Sequence, residues 1–249
     1  MNCTKSTFDD TYHISSTDTD ASYSLRPSAL LSCLQRAITD HACRVGCSRD
    51  DMLSQYNCYW MVLRIWVRLR RPIIWEEHLT VKVTVRRPVG TRVYRDCDLY
   101  VGEEQVGEAT TVWVLANRAT KRPINLEHLP ELPEEEPETA KTVTLSRIAF
   151  PEHMELHDQR RLYYSDIDIN GHMGNTRYMD LAADAAELDL RPGGVFLEEL
   201  TISFVGECYA GETLSIYRGK ENGKLYLHGV GPDGSDRFDC MIRMSTPVA

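Results

Sequence analysis

The sequence predicts an α+β fold built twice: a long helix with a curling antiparallel sheet, then a second set of the same elements. Three observations point there. Two stretches place apolar residues three and four apart, as one helix face requires, and several runs of period-two alternation follow each. A Pro- and Glu-rich segment, residues 128–141, separates the two sets. The halves also register on one another residue by residue.

The first half, residues 1–127, begins with a short strand-like run, Tyr12–Ser15, and a polar stretch to Ser24. A helix is expected from Pro27, a residue suited to a first helical turn. Its stripe is Leu30, Cys33, Leu34, Ala37, Ile38, His41 and Val45, with Gly46 as the stop. His41 lies on that stripe and reads as a packed core histidine. Next, Met61, Leu63, Ile65, Val67 and Leu69 form one face of a strand, opposite Trp60, Arg64, Trp66, Arg68 and Arg70. Leu79, Val81, Val83 and Val85 mark another strand, and segments near 92–101 and 106–116 complete a meander.

Residues 128–141 contain Pro130, Pro133, Pro137 and Glu134-Glu135-Glu136. Such composition builds no core and repels itself, so an extended linker is expected. The second half, residues 142–249, has strand-like segments near 142–149 and 159–164. A helix is expected from Asn175 to Leu188, with Tyr178, Leu181, Ala182, Ala185 and Ala186 inward and Arg191-Pro192-Gly193-Gly194 beyond it. Strands near 197–206, 212–219, 224–230 and 236–245 follow.

The chain of 249 residues is 42% hydrophobic and 26% charged, ordinary for a globular protein. It has no apolar run of the roughly 18 or more residues that a membrane span needs. The N-terminal residues lack the apolar core of a secretory signal, so a cytoplasmic location is expected. The eight cysteines are scattered without a C-x-x-C pair, which predicts reduced, mostly buried thiols and no metal site. A net charge of −9 argues against nucleic acid as a partner. Residues 60–125, however, hold 12 Lys+Arg against 7 Asp+Glu, while the remainder holds 16 against 30.

Thr17-Asp18-Thr19-Asp20 falls on Ser165-Asp166-Ile167-Asp168 at an offset of 148, with Ser22 on Asn170, Ser24 on His172 and Pro27 on Asn175. Residues 69–79 fall on 204–214 at an offset of 135. Only the second copy carries Asn170, His172 and Glu207. Polar residues before a helix also serve as turns and caps, and Asn175 or Thr176 suits that role. Capping alone does not call for His172 and Glu207 in one copy only. In extended backbone Asp168, Asn170 and His172 share a face, a grouping suited to acid–base and positioning work.

Asp168-x-Asn170-x-His172-x-x-Asn175, followed by Glu207-Cys208, resembles the motif of acyl-acyl carrier protein thioesterases, the plant plastid enzymes and their bacterial relatives. The resemblance runs from about residue 10 to 245. It includes the helix after Pro27, Trp113-Val114-Leu115 and Arg122-Pro123. It departs at Gly174, where plant relatives often show Asn, and at Met173, where Val is usual. The resemblance implies a tandem hotdog, each half a helix wrapped by a curved sheet. It also implies hydrolysis of a fatty acyl thioester on a carrier's phosphopantetheine arm, with Asp168, Asn170, His172 and Glu207 as the site and no cofactor. Two halves packed together would imitate the usual hotdog dimer, so either a monomer or a homodimer is compatible.

Two mechanisms stay open. Either Glu207 activates water, or Cys208 attacks with His172 as its base. If 197–208 stays extended, Cys208 points with apolar Leu200, Ile202 and Phe204, which favours Glu207; a bulge at Gly206 reverses that parity. Backbone N–H groups near Gly174–Asn175 are the expected oxyanion donors. Trp60, Met61, Leu63, Ile65 and Trp66 are candidates for the acyl pocket, and ordinary core packing explains them equally well. Arg64, Arg68, Arg70, Arg71, Arg86 and Arg87 are candidates for docking an acidic carrier. Alternatives are an acyl-CoA thioesterase, a hotdog dehydratase, or a non-catalytic acyl-binding module.

Overall fold

The computed structural model describes residues 4–127, 129–141, 145–187 and 195–246. Among these, one compact unit holds the residues up to His13, Cys33–Val67 and Glu77 through Leu145. The other holds Ile14–Ser32, Arg68–Glu76 and the residues from Ser146 on.

The first unit is built on β1 (Thr7–His13), α1 (Pro27–Arg44), α2 (Arg49–Tyr56), β2 (Cys58–Leu69), β3 (His78–Val85), β4 (Val93–Val101) and β5 (Glu104–Asn117), although a few residues of α1 and β2 cluster with the other unit. The strands lie in the order β1-β3-β4-β5-β2. β1 pairs antiparallel with β3 from Thr7↔Thr84 to His13↔His78, earlier in the chain than the run expected at Tyr12–Ser15. α1 buries Leu30, Leu34, Ala37, Ile38 and His41, and Gly46 at φ +73 ends it while the Cys47 N–H returns to the Ala42 carbonyl. His41 stacks on Phe8 at 5.8 Å and sits 2.8 Å from the Thr4 carbonyl; burial pushes its basicity down. α2 was not expected. Its signal is Ser48-x-x-Asp51, a capping box in which the Asp51 N–H donates to Ser48 Oγ and the Ser48 N–H to Asp51 Oδ2.

Burial along β2 departs from simple alternation. Ile65, Val67 and Leu69 are buried as read, but before them Val62 is buried while Met61 and Leu63 are only half-buried.

The segment expected to extend as a linker instead lies along the first unit. Leu129 and Leu132 are buried. The Lys141 ammonium bridges Asp98 and Glu108, and its N–H donates to Asp96 at 3.0 Å. Glu136 accepts from the Arg87 N–H, and Glu127 from the Gly90 N–H. Interspersed leucines and paired acids give this segment contacts that its bulk composition hides.

The second unit carries β6 (Glu155–Arg161), a 3-10 turn (Tyr164–Asp166), α3 (Asn175–Ala186), β7 (Phe196–Phe204), β8 (Thr213–Glu221), β9 (Lys224–Val230) and β10 (Asp236–Ser245). Its strand order is β7-β10-β9-β8-β6, the same sequence of roles as in the first unit read from β2 to β1. Of the stretch 142–149, expected as strand, residues 145–149 are irregular, and 142–144, Leu188 and 191–194 lie outside the described residues. Tyr178 on α3 meets Phe204 and Phe238 edge-on at 5.2 and 5.3 Å. Phe238 fits because residue 229 is glycine: a Cβ there would come within 2.1 Å of its ring. Among the described residues no helix is long and apolar enough to cross a membrane.

Candidate active site

The run from Asp168 to His172 is a closed turn, not the extended backbone expected. The Asp168 N–H donates to the His172 carbonyl at 2.9 Å and the Gly171 N–H to the Asp168 carbonyl at 3.0 Å; an Ile167–Met173 bridge closes the neck. Gly171 at φ +81 permits the reversal. Asp168 therefore orients Asn170, accepting its backbone N–H at 2.8 Å and its side-chain amide at 3.3 Å. His172 is half-buried, with Nδ1 3.3 Å from the Met173 carbonyl; its ring makes no hydrogen bond to Asp168 among the described residues.

A buried acid that was matched in register but given no role anchors this turn. Asp166, 3% exposed, accepts from Arg160 at 2.7 Å and from the Tyr163 N–H at 2.8 Å, while its carbonyl accepts from the Gly174 N–H at 2.9 Å. The Gly174 amide is thus committed to Asp166. Gly174, not Asn175 or Thr176, is the N-cap of α3. A Cβ at 174 would sit 3.3 Å from Asp168 Cβ, so glycine lets the turn pack against the helix start.

The second loop comes from the end of β7. That strand stops at Phe204, and the Val205 and Gly206 N–H groups both donate to the Arg237 carbonyl, a bulge that ends the simple alternation. Gly206 is required there, since a Cβ would meet the Asp236 carbonyl at 2.9 Å. The Met173 N–H then donates to the Cys208 carbonyl at 2.8 Å. This bond ties the peptide after His172 to the peptide after Cys208, the residue that follows Glu207. Cys208 is fully buried, its sulfur accepting from the Tyr178 hydroxyl at 3.2 Å; burial pushes the thiol up, and among the described residues it has no bond to His172. Glu207 is half-buried, and its carboxylate accepts from the Tyr209 hydroxyl.

The first-half copy of this turn has the same backbone bonds. Asp20 N–H to Ser24 O, Tyr23 N–H to Asp20 O, Ser22 N–H to Asp20 Oδ1, Arg26 N–H to Asp18 O and Leu25 N–H to Ile73 O reproduce the second set at the offsets found in the sequence. Tyr23, at φ +65, stands where Gly171 stands. The scaffold is present twice, and the amide, imidazole and glutamate once.

The remaining candidates are dispersed. Trp60 donates to the Cys47 carbonyl at 2.9 Å, and with Trp113 it flanks the buried Arg95 guanidinium at 4.9 and 5.4 Å. Trp66, Met61 and Leu63 are half-buried and Ile65 is fully buried. Arg68, Arg70 and Arg87 are exposed. Arg64 donates to the Leu145 carbonyl and Arg71 to that of Pro72. Arg86 does not belong to a docking surface: it is buried and paired with both oxygens of Asp96 at 2.7 Å. Asp96 is itself in the interior, and strand alternation alone does not reveal a buried ion pair.

Residues 5–131 match the family model of the acyl-ACP thioesterase N-terminal domain, and residues 152–235 that of the acyl-ACP thioesterase C-terminal domain. The chain belongs to the acyl-ACP thioesterase family. It is 24% identical over 223 residues to the chloroplastic palmitoyl-acyl carrier protein thioesterase of Gossypium hirsutum, covering 81% of this chain and 52% of that protein. It thus spans about half the length of that curated relative. Among solved structures, an acyl-ACP thioesterase from Bacteroides thetaiotaomicron superposes with a TM-score of 0.77 at 18% identity over 96% of this chain and 98% of the other. The 12:0-ACP thioesterase from Umbellularia californica gives 0.76 at 17% identity, over 97% and 98%. At such identities the structures speak for the shared fold.

Proposed function

We propose that this chain is a cytoplasmic enzyme that hydrolyses the thioester linking a fatty acyl group to an acyl carrier protein, releasing the free fatty acid. The observation that carries the reading is the Met173–Cys208 backbone bond. It sets the turn bearing Asp168, Asn170 and His172 beside the loop bearing Glu207. Family membership supplies the reaction class, and the repeated strand order supports a tandem hotdog as its frame.

Glu207 acts as the general base. It takes a proton from water as the water oxygen attacks the thioester carbonyl carbon, and the resulting tetrahedral oxyanion meets the first-turn amides of α3, those of Asn175 and Thr176. The C–S bond then breaks and the pantetheine thiolate leaves, regaining the proton from Glu207. Asn170, held by Asp168, and His172 position water and carbonyl. A buried thiol made less acidic and bonded to Tyr178 is poorly suited to attack, which favours water over Cys208. A base of this kind typically contributes about 10²–10⁴-fold.

The decisive experiment measures thiol release from carrier-linked and CoA-linked acyl chains by wild type and Glu207→Gln. Carrier-dependent turnover that falls at least about a hundredfold in the variant is expected. Undiminished turnover in the variant removes Glu207 as base. Faster turnover of the CoA substrate moves the reading to an acyl-CoA thioesterase, and binding without turnover on either moves it to an acyl-binding module.

A further inference from the structure

The Tyr209 hydroxyl donates to the Glu207 carboxylate, and nothing in the chemistry above uses it. The tyrosine is held firmly although 44% exposed. Its N–H donates to Glu212 at 3.1 Å, its carbonyl accepts from the Glu212 N–H at 3.2 Å, and the Gly211 N–H reaches the Leu162 carbonyl at 2.9 Å. The first half shows what this loop needs merely to fold. There the Glu76 N–H reaches the Ile14 carbonyl at 2.9 Å and the Leu25 N–H the Ile73 carbonyl at 2.7 Å, the counterparts of the Gly211 and Met173 bonds. In that copy Pro72 stands for Glu207 and Ile74 for Tyr209. The loop closes with neither an acid nor a tyrosine at those two positions, so the pair is not a requirement of the backbone.

We propose that Tyr209 is a positioning residue for Glu207, fixing the plane of the carboxylate that takes the proton from water. The proposal rests on Glu207 being the base. A donor to a carboxylate narrows the rotamers of a flexible side chain and adds geometric specificity. The phenol keeps its own proton in the reaction: the proton from water goes to the carboxylate. The hydroxyl is pushed toward weaker acidity, first by this hydrogen bond, so it stays a donor at neutral pH.

The test compares kcat and KM on a carrier-linked acyl substrate for wild type, Tyr209→Phe and Tyr209→Ile, with Tm measured alongside. The isoleucine copies the first-half residue, so it folds if phenylalanine does not. The expected result is a kcat about tenfold lower with an unchanged KM. Neither substitution should lower the rate further in a Glu207→Gln background. A wild-type kcat in both variants overturns the proposal, and so does a rate loss that only tracks a fall in Tm. If Glu207→Gln keeps full activity, the base assignment fails and the role of Tyr209 fails with it. If Glu207→Gln is dead while Tyr209→Phe matches wild type, only the role of Tyr209 fails.

Discussion

Replacing Asp166 by Asn tests whether the turn at 166–174 is a scaffold for chemistry. The carboxylate accepts from Arg160 on one oxygen and from the Tyr163 N–H on the other, and only 3% of it is exposed. An amide keeps the volume but offers one acceptor, so one of the two donors is left facing an NH₂ group. Hydrogen bonds to charged groups contribute about 1.5–3 kcal/mol. Arg160 is 29% exposed, so its pairing contributes less than the buried geometry alone suggests. A net loss of about 2–3 kcal/mol is expected, lowering Tm by roughly 5–10 °C in a chain of this size. Because the Asp166 carbonyl also receives the Gly174 N–H, the helix start and the Asn170–His172 turn shift with it. A displacement of about 1 Å in a positioning group costs on the order of 10²-fold in rate. The assay is urea or thermal unfolding beside thiol release, well below the lowered Tm. Asp18 is the internal control: it accepts the Ser15 N–H at 3.0 Å and the Arg26 N–H at 2.9 Å in the same way. Asp18→Asn should lose stability and keep kcat. Equal rate losses in the two variants, or a wild-type Tm and kcat for Asp166→Asn, would refute the reasoning.

Other outcomes follow from individual contacts. Cys208→Ala should retain near-full turnover yet lose about 1–2 kcal/mol, since the buried Tyr178 hydroxyl loses its acceptor; abolished turnover in a folded variant would restore the covalent route. Gly229→Ala should be strongly destabilising, by about 3 kcal/mol or more, because its Cβ would penetrate the Phe238 ring; an unchanged urea midpoint would contradict that packing. His41 has its basicity lowered by burial, so the unfolded chain takes up the proton first as pH falls below about 6.5. Stability should therefore decline toward acid from that point down to the folded-state pKa, with no contribution from this group above it, and His41→Gln should flatten the decline in pH-dependent unfolding curves. If the alkyl chain lies against the β2 candidates expected from the sequence, Trp66→Ala should lengthen the preferred acyl chain; unaltered chain-length selectivity would count against this lining.

Much of the fold was legible because the sequence patterns are local. The 3.6-residue stripe from Pro27, the alternation at Leu79–Val85 and the runs that became β9 and β10 need only neighbours a few residues away. The duplication was legible too, and its offsets of 148 and 135 reappear as matched backbone hydrogen bonds. The reactive groups stood out as residue types present in one copy and absent from the other.

Tertiary structure decided what depends on distant partners. The Asp168–His172 run reads as extended, but Gly171 and the cross-bonds reverse it into a turn, so Asp168 holds Asn170 instead of sharing a flat face with His172. Asp166 looks like one more acid in a polar stretch until Arg160 and the Gly174 amide converge on it. Arg86 looks like a surface charge until Asp96 buries it, and residues 128–141 look like a free linker until Leu129, Leu132 and Lys141 dock. Cys208 and Glu207 take their different environments from the bulge at Gly206 and from Tyr178 and Tyr209, not from strand parity. In each case residue type sets what a side chain is able to do. Whether it does so is set by the donors and acceptors that folding brings within about 3 Å.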